Sequence, residues 1–285
     1  MYTTLISAPE LQSLLARGAP LAVFDCSFDL ADPGAADRLF AQVHIAGAQQ
    51  AHLDRDLSAH AGAPRESGGR HPLPTREAFA AWLGAHGVTA GTQAVVYERS
   101  GANYCGRLWW MLKWLGHEAA AVLDGGLAAW QAAGGAVESG AGAAPASSRY
   151  TAGAPVARLV RTEEVMQALG RPTQTLIDAR AAARFRGEVE PLDPVAGHIP
   201  GALNRPFTDN FTADGRFKPA AELRAEFTAL LGLRVADSVV HHCGSGVSAI
   251  PNLLAMEVAG LGRTALYAGS WSEWCNTPER PVARG

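Results

Sequence analysis

The chain repeats itself, and the repeat constrains its fold more than any other feature. Val23-Phe24-Asp25 returns as Leu176-Ile177-Asp178, and His44-Ile45-Ala46-Gly47-Ala48 returns as His198-Ile199-Pro200-Gly201-Ala202. Both recur at a spacing of about 150 residues, which marks a duplicated domain. Further along, Leu123-Asp124-Gly125-Gly126-Leu127-Ala128-Ala129-Trp130 parallels Tyr267-Ala268-Gly269-Ser270-Trp271-Ser272-Glu273-Trp274. From Gly134 to Ala157 the chain is dominated by Gly, Ala, Ser and Pro, the composition of a linker that cannot bury a core. With 285 residues there is chain enough for two ordinary domains. The expected organisation is a first domain over 1–135, a linker over 136–158 and a second domain over 159–285.

Within each half, short apolar runs such as Ala94 to Tyr97 and Ser238 to His242 read as buried strands. Each is followed by a Gly-containing turn and a helical pattern: Leu108, Met111, Leu112 and Leu115 in the first half, Leu253, Leu254, Met256 and Val258 in the second. Strands alternating with helices predict an α/β fold in which each half is a largely parallel sheet flanked by helices. Ligands of such sheets bind beyond the carboxyl ends of strands, where Glu98 and Cys243 fall.

Cys243-Gly244-Ser245-Gly246-Val247-Ser248 leaves a strand and enters a helix. Its glycines let the backbone curl so that successive N–H groups form a cradle of donors. Together with the positive end of the helix, that cradle favours the thiolate of Cys243. A soft thiolate in such a setting suits attack on sulfur or phosphorus, with a covalent intermediate held in the loop. Cys26, Cys105 and Cys275 lack this setting and read as small buried hydrophobes. Position 249, where a Cys-x5-Arg phosphatase needs its arginine, is Ala249. Pro251 requires the following helix to begin within about one turn of it.

The loop, with His198-Ile199-Pro200-Gly201-Ala202 upstream and Gly269-Ser270-Trp271-Ser272-Glu273-Trp274 downstream, resembles the tandem rhodanese-fold sulfurtransferases over nearly the whole chain. The resemblance implies two rhodanese-like domains, the first lacking the nucleophile and the second carrying it as a persulfide-forming cysteine. Aligning Val95 to Tyr97 with Val240 to His242 places Glu98 where Cys243 stands, in agreement. In this family, basic residues after the cysteine go with thiosulfate as donor and Gly-Ser-Gly goes with 3-mercaptopyruvate. Gly244-Ser245-Gly246 therefore favours the latter, and an uncharged loop attracts a dianion less. The resemblance further implies a proton relay of Ser245, His71 and Asp54 beside the catalytic Cys243. It implies substrate binding by Arg184 with the loop residues Gly244, Gly246, Val247 and Ser248. The family's second arginine has no counterpart, because Glu190-Pro191-Leu192-Asp193-Pro194 stands there; Arg186 is the nearby substitute to consider.

The expected activity is transfer of sulfane sulfur from a small donor to a thiol or cyanide acceptor. Thiosulfate is the alternative donor, and a non-catalytic persulfide carrier the alternative from another class. Four scattered cysteines without a Cys-x-x-Cys pair indicate neither a disulfide framework nor a zinc site, so no cofactor is expected. A net charge of −3, from 24 basic and 27 acidic residues, makes nucleic acid an unexpected partner. The start shows no basic leader followed by an apolar core, and no apolar run approaches the ~18 residues of a membrane span, so a cytoplasmic protein is expected.

Overall fold

Alternation of buried apolar strands with amphipathic helices gives the chain two α/β units. The computed structural model describes residues 1–99 and 101–285. One unit comprises residues 1–64, 74–156 and 211–217; the other comprises 65–73, 157–210 and 218–285.

Each unit is built on a five-stranded sheet, and every neighbouring pair within it is parallel. In the first the order is Leu5–Ile6, Ala120–Leu123, Gln93–Tyr97, Leu21–Asp25, Gln49–Gln50. In the second it is Arg158–Val160, Ala265–Tyr267, Val239–His242, Thr175–Asp178, Leu203–Asn204. The two orders correspond strand for strand, so the repeat read in the sequence is a repeat of topology. Parallel strands buried on both faces need continuous apolar runs, and Val95, Val96, Val239 and Val240 supply them in the two middle strands. The first core gathers Ile6, Val23, Val95, Tyr97, Leu123 and Trp130. The second gathers Val160, Leu176, Val240, Tyr267, Trp271 and Trp274. Trp109, Trp110, Trp114 and Trp130 are all buried, as packing residues rather than a ligand box.

The Gly-rich stretch after the first sheet carries one short strand, Val137–Glu138, paired antiparallel with His44–Ile45. Beyond it, the N–H groups of Gly140, Ala143, Ser148 and Gly153 donate to the carbonyls of Ala41, Ala48, Gly84 and Leu115. Small residues thus let an extended segment lie along the first unit without burying side chains.

Register places the two functional positions identically. Asp25 lies opposite Tyr97 and Asp178 opposite His242, so Glu98 and Cys243 are the next residues beyond the middle strands. The Glu98 carbonyl accepts from Leu127 N–H at 3.0 Å, and the Cys243 carbonyl accepts from Trp271 N–H at 2.9 Å. In the first unit the Glu98 carboxyl turns back into the loop. It accepts from the backbone N–H groups of Asn103, Tyr104 and Cys105 at 3.3, 2.5 and 2.7 Å. The cradle at the start of helix Asn103–Trp114 is therefore filled by the chain's own acidic side chain. Burial raises that carboxyl to about 8, against the pull of the three donors.

Two outcomes follow for Glu98. Glu98→Ala orphans three N–H groups at the start of a buried helix and is expected to cost at least about 2 kcal/mol, read by denaturant unfolding. Because the folded carboxyl holds its proton above the unfolded value of 4.5, its stabilising contribution is lost as pH rises through about 8. Stability of the native chain is expected to fall more steeply over that window than stability of Glu98→Gln; parallel pH profiles would contradict this.

Candidate active site

Val239–His242 is the middle strand of its sheet, and Cys243 follows it with 2% of its surface exposed. The loop runs from there into helix Ile250–Val258, whose first turn holds Pro251, where its missing N–H costs nothing. Gly246 has φ 75°, and a Cβ there would stand 2.2 Å from the Ala268 carbonyl oxygen, so glycine is the only residue the loop accepts. The Ser272 N–H donates to the Gly244 carbonyl at 2.8 Å. Among the described residues, the N–H groups of Gly244, Ser245, Val247 and Ser248 donate to no protein acceptor. Of these only Ser248 corresponds to a donor that Glu98 consumes in the first unit, Asn103; the counterparts of Tyr104 and Cys105 are Ala249 and Ile250, and Ile250 N–H donates to the Val247 carbonyl at 3.1 Å.

Ser270 holds the nucleophile's backbone. It is the one described non-glycine residue with positive φ, at 56°, and it replaces Gly126, which has φ 55°. That conformation costs about 1–2 kcal/mol. In exchange, the Ser270 hydroxyl accepts from Cys243 N–H at 3.1 Å and donates to the Tyr267 carbonyl at 3.0 Å. Sequence reasoning did not single out Ser270, although the signal was a serine standing where the other repeat has glycine.

The other cysteines are chemically quiet. Burial raises the thiol pKa of Cys26 and Cys105 well above the ordinary value, and pushes that of Cys275 up to about 11. His241 and His242, immediately before Cys243, are both buried; burial lowers His242 and takes His241 to about 3, so neither carries charge at neutral pH. Arg180 lies over the Trp271 ring at 4.8 Å. It donates to Asp178 at 2.7 Å, Glu190 at 3.2 Å and the Gly197 carbonyl at 2.7 Å. It braces the turn after strand Thr175–Asp178.

Segment 65–73 belongs to the same unit as Cys243. Gly68 N–H donates to Glu273 Oε2 and Arg70 N–H donates to Ser272 Oγ, each at 3.0 Å. A Cβ on Gly69, at φ 84°, would stand 2.6 Å from the Gly269 carbonyl oxygen, which explains the paired glycines before Arg70. This clamp brings His71 Nδ1 within 2.7 Å of Ser245 Oγ, with both side chains buried. Asp54 lies in the other unit, half-buried, its N–H donating to His52 Nδ1 at 3.2 Å.

Arg184 sits on the short helix Ala182–Phe185. Its guanidinium donates to Glu190 Oε1 at 2.5 Å and Asp193 Oδ2 at 3.3 Å, and Nη1 lies 3.6 Å from where a Cβ on Gly244 would be. Arg186 does not join it: bound through Nε and Nη2 to Glu188, it faces solvent with nearly half of its side chain exposed. The guanidinium that does approach the loop was missed. Arg70 Nη2 is 3.1 Å from the same point on Gly244, and Arg70 Nη1 donates to Asp193 Oδ1 at 2.7 Å. The loop itself is uncharged, as expected, but two cations flank it, so the inference that its surroundings discriminate against a dianion does not stand on charge alone.

Comparison with known proteins places this geometry. The family model for the rhodanese-like domain matches twice, over residues 7–133 and 161–277. A Pseudomonas aeruginosa protein named "Probable 3-mercaptopyruvate sulfurtransferase" is 47% identical, covering 99% of this chain and 98% of its own. An Arabidopsis thaliana protein named "Thiosulfate/3-mercaptopyruvate sulfurtransferase 1, mitochondrial" is 36% identical, covering 82% and 68%. The crystal structure of SseA from Escherichia coli, described as a 3-mercaptopyruvate sulfotransferase of rhodanese fold, is 32% identical with a TM-score of 0.79, covering 95% of this chain and all of its own. With the duplicated parallel sheets and the cysteine loop, these matches make the chain a member of the rhodanese family, of the tandem-domain sulfurtransferase kind.

Proposed function

We propose that this sulfurtransferase takes sulfur from 3-mercaptopyruvate, carries it as a persulfide on Cys243 and delivers it to a thiol or cyanide acceptor. The observation that carries this reading is a cysteine at the carboxyl end of the middle strand, set in a turn of unspent backbone donors and followed at two residues by a serine bonded to a buried histidine. The names of the relatives point to the same pair of donors, 3-mercaptopyruvate and thiosulfate.

In the reaction, the Cys243 thiolate attacks the sulfur of 3-mercaptopyruvate and forms the S–S bond as the carbon–sulfur bond breaks. The electron pair of the broken bond leaves on carbon as the enolate of pyruvate, and a proton delivered to that carbon completes the product. Ser245 passes that proton in this reading, which the 2.7 Å bond between its hydroxyl and His71 Nδ1 supports. Asp54 is assigned to the relay as the group that would hold the charge of His71. An acceptor thiolate then attacks the outer sulfur and returns Cys243 as thiolate. The N–H groups of Gly244, Val247 and Ser248 stabilise the charge on sulfur in both steps, Gly246 allows the loop its curl, and Arg184 receives the donor's carboxylate. Thiosulfate is the second reading, supported by the two guanidiniums beside Gly244; its leaving group, sulfite, departs with its own electron pair and needs no proton.

Treatment with 3-mercaptopyruvate is expected to add one sulfur atom to the Cys243 peptide and none to the other three cysteines, by mass spectrometry. The value of kcat/KM for 3-mercaptopyruvate is expected to exceed that for thiosulfate with a common acceptor. A persulfide elsewhere, or full turnover by Cys243→Ser, would overturn the mechanism; a clear preference for thiosulfate would overturn the donor.

Ser245→Ala removes the hydroxyl and leaves the backbone cradle. It is expected to lower kcat with 3-mercaptopyruvate by about 10²-fold or more while sparing thiosulfate. Arg184→Ala is expected mainly to raise KM. Equal losses of kcat with both donors in Ser245→Ala would show that Ser245 shapes the loop instead of carrying a proton.

A further inference from the structure

Ser272 bonds both sides of the hydrogen bond between Ser245 and His71. It lies in the short helix Ser270–Trp274, with 5% of its surface exposed. Its N–H donates to the Gly244 carbonyl at 2.8 Å, and that carbonyl shares a planar peptide unit with the nitrogen of Ser245. Its hydroxyl accepts from Arg70 N–H at 3.0 Å, one residue before His71. With His71 Nδ1 and Ser245 Oγ at 2.7 Å, the contacts close into a ring. The ring runs from Ser272 to Gly244, along the chain to Ser245, across to His71, back along the chain to Arg70 and home to Ser272. Both ends of the 2.7 Å bond are therefore referred to one side chain and its own backbone.

The other repeat supplies an independent observation. Aligning Leu123 to Trp130 with Tyr267 to Trp274 sets Ala128 and Ala129 opposite Ser272 and Glu273. The backbone bond that anchors this turn is present in both repeats, from Leu127 N–H to Glu98 and from Trp271 N–H to Cys243. The turn and its helix therefore form with alanine at both positions, and alanine is the better helix former. What the second repeat adds is two side-chain acceptors, and both are spent on segment 65–73: Ser272 Oγ on Arg70 N–H and Glu273 Oε2 on Gly68 N–H. The serine hydroxyl is not free for chemistry of its own, because it accepts from Arg70 and turns its hydrogen toward the Gly269 carbonyl at 3.4 Å.

We propose that Ser272 is the positioning residue of the proton step, setting the alignment of Ser245 with His71 and thereby favouring 3-mercaptopyruvate over thiosulfate as donor. This rests on the reading of Ser245 and His71 as the relay that protonates the pyruvate enolate. Proton transfer along a hydrogen bond depends steeply on its length and angle, so a small displacement of either partner is felt in kcat. Ser272 passes no proton itself. It acts by holding the segment that carries His71 in register with the loop that carries Ser245. Thiosulfate, whose leaving group needs no proton, does not draw on that register.

The test compares the native enzyme with Ser272→Ala, Ser245→Ala and the double variant, each with 3-mercaptopyruvate and with thiosulfate as donor and a common acceptor. Ser272→Ala keeps the N–H bond to Gly244 and installs the residue that the other repeat has, so the helix is retained. Its kcat with 3-mercaptopyruvate is expected to fall about 3- to 30-fold, with kcat for thiosulfate falling much less. Labelling of Cys243 by iodoacetamide, which reports the thiol and its loop without the relay, is expected to keep its native rate. The double variant is expected to be no slower with 3-mercaptopyruvate than Ser245→Ala alone, because a residue that acts through the Ser245 hydroxyl has nothing to position once that hydroxyl is gone. An unchanged kcat with 3-mercaptopyruvate in Ser272→Ala, equal losses with both donors, or a further loss in the double variant would overturn the role of Ser272. Equal losses with both donors in Ser245→Ala would instead overturn the relay on which it rests.

Discussion

A parallel strand that ends in a turn and opens a helix leaves backbone N–H groups pointing at whatever residue comes next, and those donors must be satisfied. Both halves of this chain are organised around that demand. In the first, Glu98 answers it internally by accepting three N–H bonds from Asn103, Tyr104 and Cys105. In the second, the corresponding residue is Cys243, whose shorter side chain does not fold back onto the loop, and among the described residues the N–H groups of Gly244, Ser245, Val247 and Ser248 donate to no protein acceptor. The same local geometry thus gives a self-filled loop in one repeat and, in the proposed reaction, a receptor for charge on sulfur in the other. Filling or emptying the cradle is a matter of one side chain.

Keeping such a loop open requires that its backbone be held from outside. Ser270 does this in a conformation that glycine occupies in the other repeat, accepting from Cys243 N–H and bonding Tyr267. Segment 65–73 does it from the other side, through Gly68, Gly69 and Arg70. The strain at Ser270 is offset by satisfying a buried N–H that would otherwise cost about 1–3 kcal/mol. Buried pairs then set direction: acids of the Glu190 to Asp193 segment fix Arg180, Arg184 and Arg70, and His71 fixes the Ser245 hydroxyl. Positions that look like surface punctuation in the sequence are the frame of the site.

Much of this was legible beforehand. Apolar runs of Val, Leu and Ile announce parallel strands because both sheet faces are buried, and the repeated Asp25 and Asp178 mark the strand ends where register places Glu98 and Cys243. The cysteine loop was legible because glycine spacing reports curled backbone, and the pairing of His71 with Ser245 followed from resemblance. Arg70 was not legible. Its place beside Gly244 is set by bonds to Asp193 and Ser272, across more than a hundred residues of sequence. Ser270 was half legible: comparing the repeats shows serine against glycine, but only the backbone angle shows that the serine is strained and why. Arg186 stayed open in the sequence because chain proximity to Arg184 says nothing about its preference for Glu188 at the surface.

The central claim is that sulfur passes through Cys243 on the way from donor to acceptor, and the rate at which it arrives there tests this most directly. Rapid mixing of enzyme with 3-mercaptopyruvate, acid quench and mass spectrometry of the Cys243 peptide give the rate constant for persulfide formation. The account predicts a constant at least as large as steady-state kcat with an excess of acceptor thiol. Persulfide that accumulates more slowly than the enzyme turns over would contradict it.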